Sequence, residues 1–237
     1  MVGTQADDPQ GTAISDYPRL PYPALPALSE EERVARAMAV YDCLRTRRTC
    51  REFAETSVPR EVIELALLAA GTAPSGANHQ PWHFAVVSSP EKRREIRLGA
   101  EVEERAFYAG KAGKEWLESL APLGTDENKP FLETAPWLIV VFGQRRGGPE
   151  PADDRQNYYV TESVAIAGGL MLATLHAAGL ATLTHTPAPM KFLNRICRRP
   201  AQEKPMMLIV VGHPAADAHV PLHATKRKPL DQIASWL

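Results

Sequence analysis

A layered domain of alternating strands and helices is what this chain predicts, on three observations. Short apolar runs rich in β-branched residues occur at 82–87, 137–142 and 206–212, the composition of strands buried in a sheet. The segments between them carry apolar residues at helical spacing, such as Val62, Ile63, Ala66 and Leu67. Strand and helix patterns alternate along the chain, which indicates an α/β layered domain. A length of 237 residues suits one domain with extensions, and no internal repeat or second hydrophobic unit asks for a boundary.

Composition narrows the function classes. The chain is 44% hydrophobic and 23% charged with a formal net charge of -1, so no global field recruits nucleic acid or an anionic membrane. No apolar run is expected to reach the roughly 18 residues of a membrane span, and no basic-then-apolar leader pattern opens the chain. Cys43, Cys50 and Cys197 make neither a disulfide framework nor a paired metal spacing, which fits a reducing cytoplasm. The histidines show no metal spacing, so no metal is expected.

Residues 1–28, with Pro18, Pro21, Pro23 and Pro26 closely spaced, read as an irregular Pro-rich arm, followed by a single domain over 29–237. Ser29 with Glu32 forms a capping box that starts a helix ending near Arg45. Pro59 opens a second helix that ends at Gly71. A turn rich in Pro, Ser, Gly and Asn then leads into the 82–87 strand, which reads as buried. Ser89-Pro90 starts a helix carrying Ile96, Ala100, Phe107 and Tyr108. The 137–142 strand follows a polar loop around Gly124. The stretch 157–178 is apolar on nearly every side, so it reads as a buried helix in which Gly168 and Gly169 permit close helix–helix approach. A short strand at 181–184, a turn through Thr184, His185, Thr186 and Pro187, the 206–212 strand and a short C-terminal segment complete the chain.

Three constellations carry candidate chemistry. Arg47, Arg48 and Arg51 form a dense positive cluster. Planar guanidinium forks suit a phosphate, although a solvated turn looks the same in sequence. Glu104 and Tyr108 share a helix face, with Lys129 beyond. Together they offer the charges an α-amino acid zwitterion needs, or merely an exposed i,i+4 pair of little value. Thr186 beside Pro187 is either turn chemistry or a hydroxyl aimed at a ligand. No G-x-G-x-x-G or phosphate-loop pattern is present, which argues against a dinucleotide site, and no G-x-S-x-G nucleophile signature is present. Trp82, Trp116 and Trp137 read as core residues, and Cys50 sits within reach of whatever the arginines hold.

With these motifs in view, residues 44–233 resemble the nitroreductase superfamily of flavin enzymes, and within it the iodotyrosine deiodinase family of reductive dehalogenases. The resemblance implies an α+β fold with a central mixed sheet flanked by helices, an intertwined homodimer and FMN as cofactor. It implies cofactor contacts from Arg47, Arg48, Thr49, Arg51, Pro74, Ser75, Gly76, Asn78, Thr184, His185, Thr186 and Arg227. It assigns catalytic parts to the Thr186 hydroxyl, at the redox-active flavin nitrogen, and to the Ala77 amide, at the substrate phenolate. Glu104, Tyr108 and Lys129 match the trio that grips the amino acid, on a helix and substrate lid spanning about 97–132. The implied substrate is a halotyrosine, and the implied electron donor a separate reductase or NAD(P)H. The membrane anchor of animal members has no counterpart, which implies a soluble form. The pattern departs at His185, where animal sequences have a small hydroxyl residue. A nitroreductase or quinone reductase with broad aromatic substrates is the alternative; the Glu104, Tyr108 and Lys129 trio separates the two, because a nitroaromatic has no zwitterion.

Overall fold

The computed structural model describes residues 18–150 and 152–237; the first part of the expected arm, 1–17, lies outside the described residues. The chain divides into two compact units, Met1–Ala39 and Val40–Leu237. Residues 18–28 have no regular structure and lead into helix α1 (Glu30–Arg45), whose last residues belong to the second unit. The capping box forms: the Ser29 amide donates to Glu32 Oε2 at 2.7 Å and the Glu32 amide donates to Ser29 Oγ at 3.2 Å. No residue of α1 is buried.

The second unit contains α2 (Arg60–Gly71), β1 (Trp82–Val87), α3 (Pro90–Ala106), α4 (Lys114–Leu120), α5 (Phe131–Thr134) and β2 (Trp137–Gly143). It continues through α6 (Val160–Ala177), β3 (Ala181–His185), α7 (Phe192–Ile196) and β4 (Lys204–Gly212). The sheet has the order β1-β2-β4-β3, and every strand pair is antiparallel. The parallel part of the expected mixed sheet is the bridge Thr49↔Thr182. Helix–strand alternation does not set strand direction here, because each connection is long enough to return the chain to either end of the sheet. Sequence patterning missed the short helices α4, α5 and α7.

Alternation along the central strands builds two cores. Leu138, Val140, Phe142, Leu208 and Val210 pack with Ile96, Ala100, Leu132 and Leu193 on one face. Ile139, Val141, Ile209 and Val211 pack with Ile63, Ala66, Val164, Met171 and Leu175 on the other. A sheet covered on both faces explains the unbroken apolar runs. Each Val, Leu, Ile, Met or Phe among them contributes about 1.5–3 kcal/mol relative to exposure. β1 departs from its expected burial: it is a half-buried edge strand paired only with β2.

α6 also departs from expectation. Its 18 residues, mean hydropathy 1.3, are long and apolar enough to cross a membrane. It instead packs Ser163, Val164, Ala167, Gly168, Met171 and Leu175 into the domain, with α2 alongside. A Cβ on Gly168 would meet Met207 Sδ of β4 at 3.1 Å, so this glycine permits helix–sheet rather than helix–helix approach, while Gly169 faces open space. Ile166 and Leu170 on the outer side remain exposed.

Candidate active site

The site begins with how α3 ends. Ser89 Oγ accepts from the Lys92 amide, and Pro90 opens the helix. The helix runs to Ala106 and passes into one wide π turn, Phe107–Lys111, released at Gly110 by a φ of 140° that favours glycine. Glu101, Glu104 and Tyr108 therefore follow one another along one face.

Lys129 is buried, 2% exposed. Its Nζ lies 3.3 Å from Glu104 Oε2 and donates to Thr125 Oγ1 at 3.3 Å and to the Asp126 carbonyl. The Lys129 amide donates to Glu101 Oε1 at 3.0 Å, and Arg97 pairs with the same oxygen at 3.3 Å. The Tyr108 hydroxyl donates to the Thr125 carbonyl at 3.0 Å. Burial pushes the Glu104 carboxyl above its ordinary range while Lys129 pulls it back. Burial likewise raises the Tyr108 phenol.

His185 ends β3 on the other side of Glu104, with Nε2 3.8 Å from Glu104 Oε1. That nitrogen is buried and has no hydrogen-bond partner, and Phe131 meets the ring edge-on at 5.9 Å. Burial, then Lys129 and Arg51, push the imidazole down to about 3, so it is uncharged at neutral pH. A cavity of about 350 Å³ joins these groups; Arg51, Glu104, Tyr108, Lys129, Thr184, His185 and Thr186 all line it, and its size suits a small-molecule site. Aromatic walls come from Phe107, Trp116 and Phe131. Trp116 is 56% exposed, so it belongs to the cavity wall and not to the core.

The arginine cluster lies beside β3. The Thr49↔Thr182 bridge and a 3.0 Å hydrogen bond from the Cys50 amide to the Thr182 carbonyl pin it there. Arg48 Nη1 donates to the carbonyls of Arg45 and Arg47. Arg48 and Thr49 border a second hollow with His176 and Leu180. Arg227, from the far end of the chain, donates Nη1 to the Ala224 and Lys226 carbonyls. It lies near enough that burial, then Arg227 and Arg48, lower the Arg47 guanidinium. Burial also lowers Arg51. Among the described residues none of Arg47, Arg48, Arg51 and Arg227 pairs with a carboxylate. Cys50 Sγ is committed to the Glu52 carbonyl at 3.1 Å.

The loop after α2 is held in an unusual shape. Ala77, Asn78 and Gln80 have φ of 49°, 55° and 51°, a left-handed region that costs a non-glycine residue about 1 kcal/mol or more. Ser75 Oγ accepts from the Gln80 amide at 2.9 Å. A Cβ on Gly76 would meet the Tyr158 carbonyl oxygen at 3.0 Å. Pro74, Ser75, Gly76, Ala77 and Asn78 do not line the cavity around Glu104.

The structure thus gathers Arg51, Glu104, Tyr108, Lys129, Thr184, His185 and Thr186 in one cavity, brings Arg227 near Arg47 outside its lining, and leaves the 74–78 loop apart. Sequence reasoning missed Glu101, Thr125 and Phe131. Glu101 had a signal, because it precedes Glu104 and Tyr108 at helical spacing.

An α+β sheet domain with a cationic cluster and a charged cavity at the end of β3 has known counterparts. The chain belongs to the nitroreductase family, whose model matches residues 44–213. A step further in, its relatives are iodotyrosine deiodinases. One from Haliscomenobacter hydrossis is 51% identical over 81% of this chain and 86% of the relative. Iodotyrosine deiodinase 1 from Homo sapiens is 43% identical over 86% of this chain and 70% of the relative. A crystal structure of oxidized iodotyrosine deiodinase bound to FMN and 3-iodo-L-tyrosine superposes with TM-score 0.69 at 30% identity, covering 81% of this chain and 96% of that one.

Proposed function

We propose that this protein is an FMN-dependent reductive dehalogenase of halotyrosines, acting as a homodimer whose sites are each shared by two copies. The observation that carries the proposal is the buried Glu104–Lys129 ion pair, with the Tyr108 hydroxyl beside it, inside an aromatic-walled cavity at the end of β3. An exposed pair would mean little; a buried one in a cavity marks a place where opposite charges are to be read. The deiodinases among the relatives support the same reading.

The donor set fits FMN. Guanidiniums gathered without a carboxylate among the described residues, Arg47 half-buried and near Arg227, suit an anion such as a phosphate. Arg47, Arg48, Thr49, Arg51 and Arg227 would hold the phosphate and ring edge. Pro74, Ser75, Gly76 and Asn78 would lie against the ring, with Thr184, His185 and Thr186 along its reactive edge. When bound, FMN supplies the two electrons that reductive dehalogenation consumes.

In this reading Glu104 takes the substrate ammonium, Lys129 its carboxylate, and Tyr108 donates from its hydroxyl. Binding therefore exchanges one internal ion pair for two pairs with the ligand, which favours discrimination more than raw affinity. The Ala77 amide holds the phenolate, and the Thr186 hydroxyl donates to the ring nitrogen. The net change breaks the carbon–halogen bond, forms a carbon–hydrogen bond with one proton and two electrons, and releases halide. The segment 97–132 is the lid, because it supplies Glu104, Phe107, Tyr108, Trp116, Thr125, Lys129 and Phe131 to the cavity.

Two features support the shared site. The 74–78 loop is absent from its own chain's cavity. Leu65, Leu68, Ile166 and Leu170 leave apolar surface exposed on α2 and α6, where Gly169 faces open space. Electrons arrive from a separate reductase or from NAD(P)H. The three free cysteines suit a cytoplasmic setting.

The test is anaerobic. Protein loaded with FMN and reduced by dithionite is expected to release iodide from 3-iodotyrosine and to bind it far more tightly than 2-iodo-4-methylphenol, which lacks the zwitterion. No iodide, or equal binding of the two ligands, removes the proposal.

A further inference from the structure

The Glu104 carboxylate stands between two groups, Lys129 at 3.3 Å from Oε2 and His185 Nε2 at 3.8 Å from Oε1. The lysine contact is made and the histidine contact is not: His185 Nε2 is sealed from water with no partner. A buried polar group without a partner is costly, and in ligand-free sites such contacts are often long and tighten only when the ligand is bound. Resting on the proposed amino-acid site, we infer that His185 is a positioning residue: its imidazole turns Nε2–H onto Glu104 when the substrate carboxylate draws Lys129 away, and so keeps Glu104 aimed at the ammonium.

The charge state matters. A protonated imidazole would cancel Glu104 and repel the incoming ammonium. The groups facing His185 prevent this: Lys129 from the lid and Arg51 from the arginine cluster are cations, and Phe131 of α5 closes the ring against water. Glu104 is the anion in reach, and Tyr108 beyond it is held protonated by burial. His185 thus donates a hydrogen bond to Glu104 without adding charge, which a hydroxyl side chain on a shorter stem at the end of β3 would not reach across 3.8 Å.

Calorimetric binding to the FMN-loaded protein tests this. Replacing His185 by Leu removes the donor; His185→Gln keeps one. The Leu variant is expected to bind 3-iodotyrosine about 10-fold more weakly at pH 7, the scale of one hydrogen bond to a charged group, and to shift the acid limb of binding to higher pH. The preference for 3-iodotyrosine over 2-iodo-4-methylphenol should fall by about the same factor, and the Gln variant should recover most of it. Unchanged iodotyrosine binding in the Leu variant, or equal loss of both ligands, overturns the inference while leaving wild-type discrimination between the ligands, and so the dehalogenase reading, intact. Wild-type protein that fails to discriminate overturns both. Independently of any variant, the wild-type His185 Nε2–H resonance should move on adding 3-iodotyrosine and not on adding the phenol; a stationary resonance contradicts the inference.

Discussion

Around Glu104 and Lys129 the charges are already paired, buried and braced by hydrogen bonds; at Arg47, with Arg227 near it, like charges lie together and neither pairs with a carboxylate among the described residues. In the first region opposite charges satisfy each other within one chain; in the second no carboxylate neutralises the guanidiniums among the described residues. On the proposed function the first is a lock built from opposite charges and the second a socket built from like ones, and substitutions should affect the two differently.

The largest effect is expected from the socket. Replacing Arg47 and Arg227 together by Ala should weaken FMN binding about 1000-fold, since each charge-assisted contact contributes about 1.5–3 kcal/mol. The FMN-free protein should keep its melting temperature, because neither guanidinium holds a carboxylate among the described residues and the Arg227 contacts to carbonyls are exposed. Fluorescence titration and thermal melts check both halves, and a fall in the FMN-free melting temperature would erase the contrast.

Next comes the lock. Glu104→Gln should weaken 3-iodotyrosine binding about 100-fold with FMN affinity within about 2-fold, because the lost contact is a buried ion pair with the ligand. Calorimetry separates the two affinities. Glu101→Ala then sharpens the point by touching neither ligand. It frees the Lys129 amide and leaves Arg97 with Glu133 as its one carboxylate partner among the described residues, so iodotyrosine binding should weaken about 10-fold and stability fall by about 1–3 kcal/mol.

The smallest effect is a pH slope. The folded state holds His185 down at about 3 against an ordinary 6.5. Below pH 6.5 the unfolded chain takes a proton that the folded chain refuses, so stability falls as pH drops from 6.5 toward 3. The slope from this residue is at most about 1.4 kcal/mol per pH unit. Urea unfolding of His185→Gln between pH 7 and 5 should show a shallower decline than wild type.

Much of this was legible in residues alone. The strands at 82–87, 137–142 and 206–212, the Ser29 capping box and the Pro90 helix start all have local causes, and each appears where expected. What sequence concealed was set by tertiary packing. The half-buried state of β1 depends on its edge position, and the antiparallel order depends on connections whose path no local pattern records. α6 looked like a helix–helix element, yet Gly168 serves contact with Met207 of β4. In the site, Glu104 and Lys129 drew attention as charges, but the orphaned His185 nitrogen and the Glu101 brace arise only when β3, α3 and the Lys129 loop meet.

The most direct test is complementation between copies. Ala77→Pro removes the loop amide and its φ of 49°, and Glu104→Gln breaks the lock; each variant alone should be nearly inactive toward 3-iodotyrosine. Mixed in equal amounts and allowed to exchange subunits, they should regain about a quarter of wild-type turnover, since half the dimers then carry one intact shared site. A mixture that stays as inactive as its components would contradict the shared site.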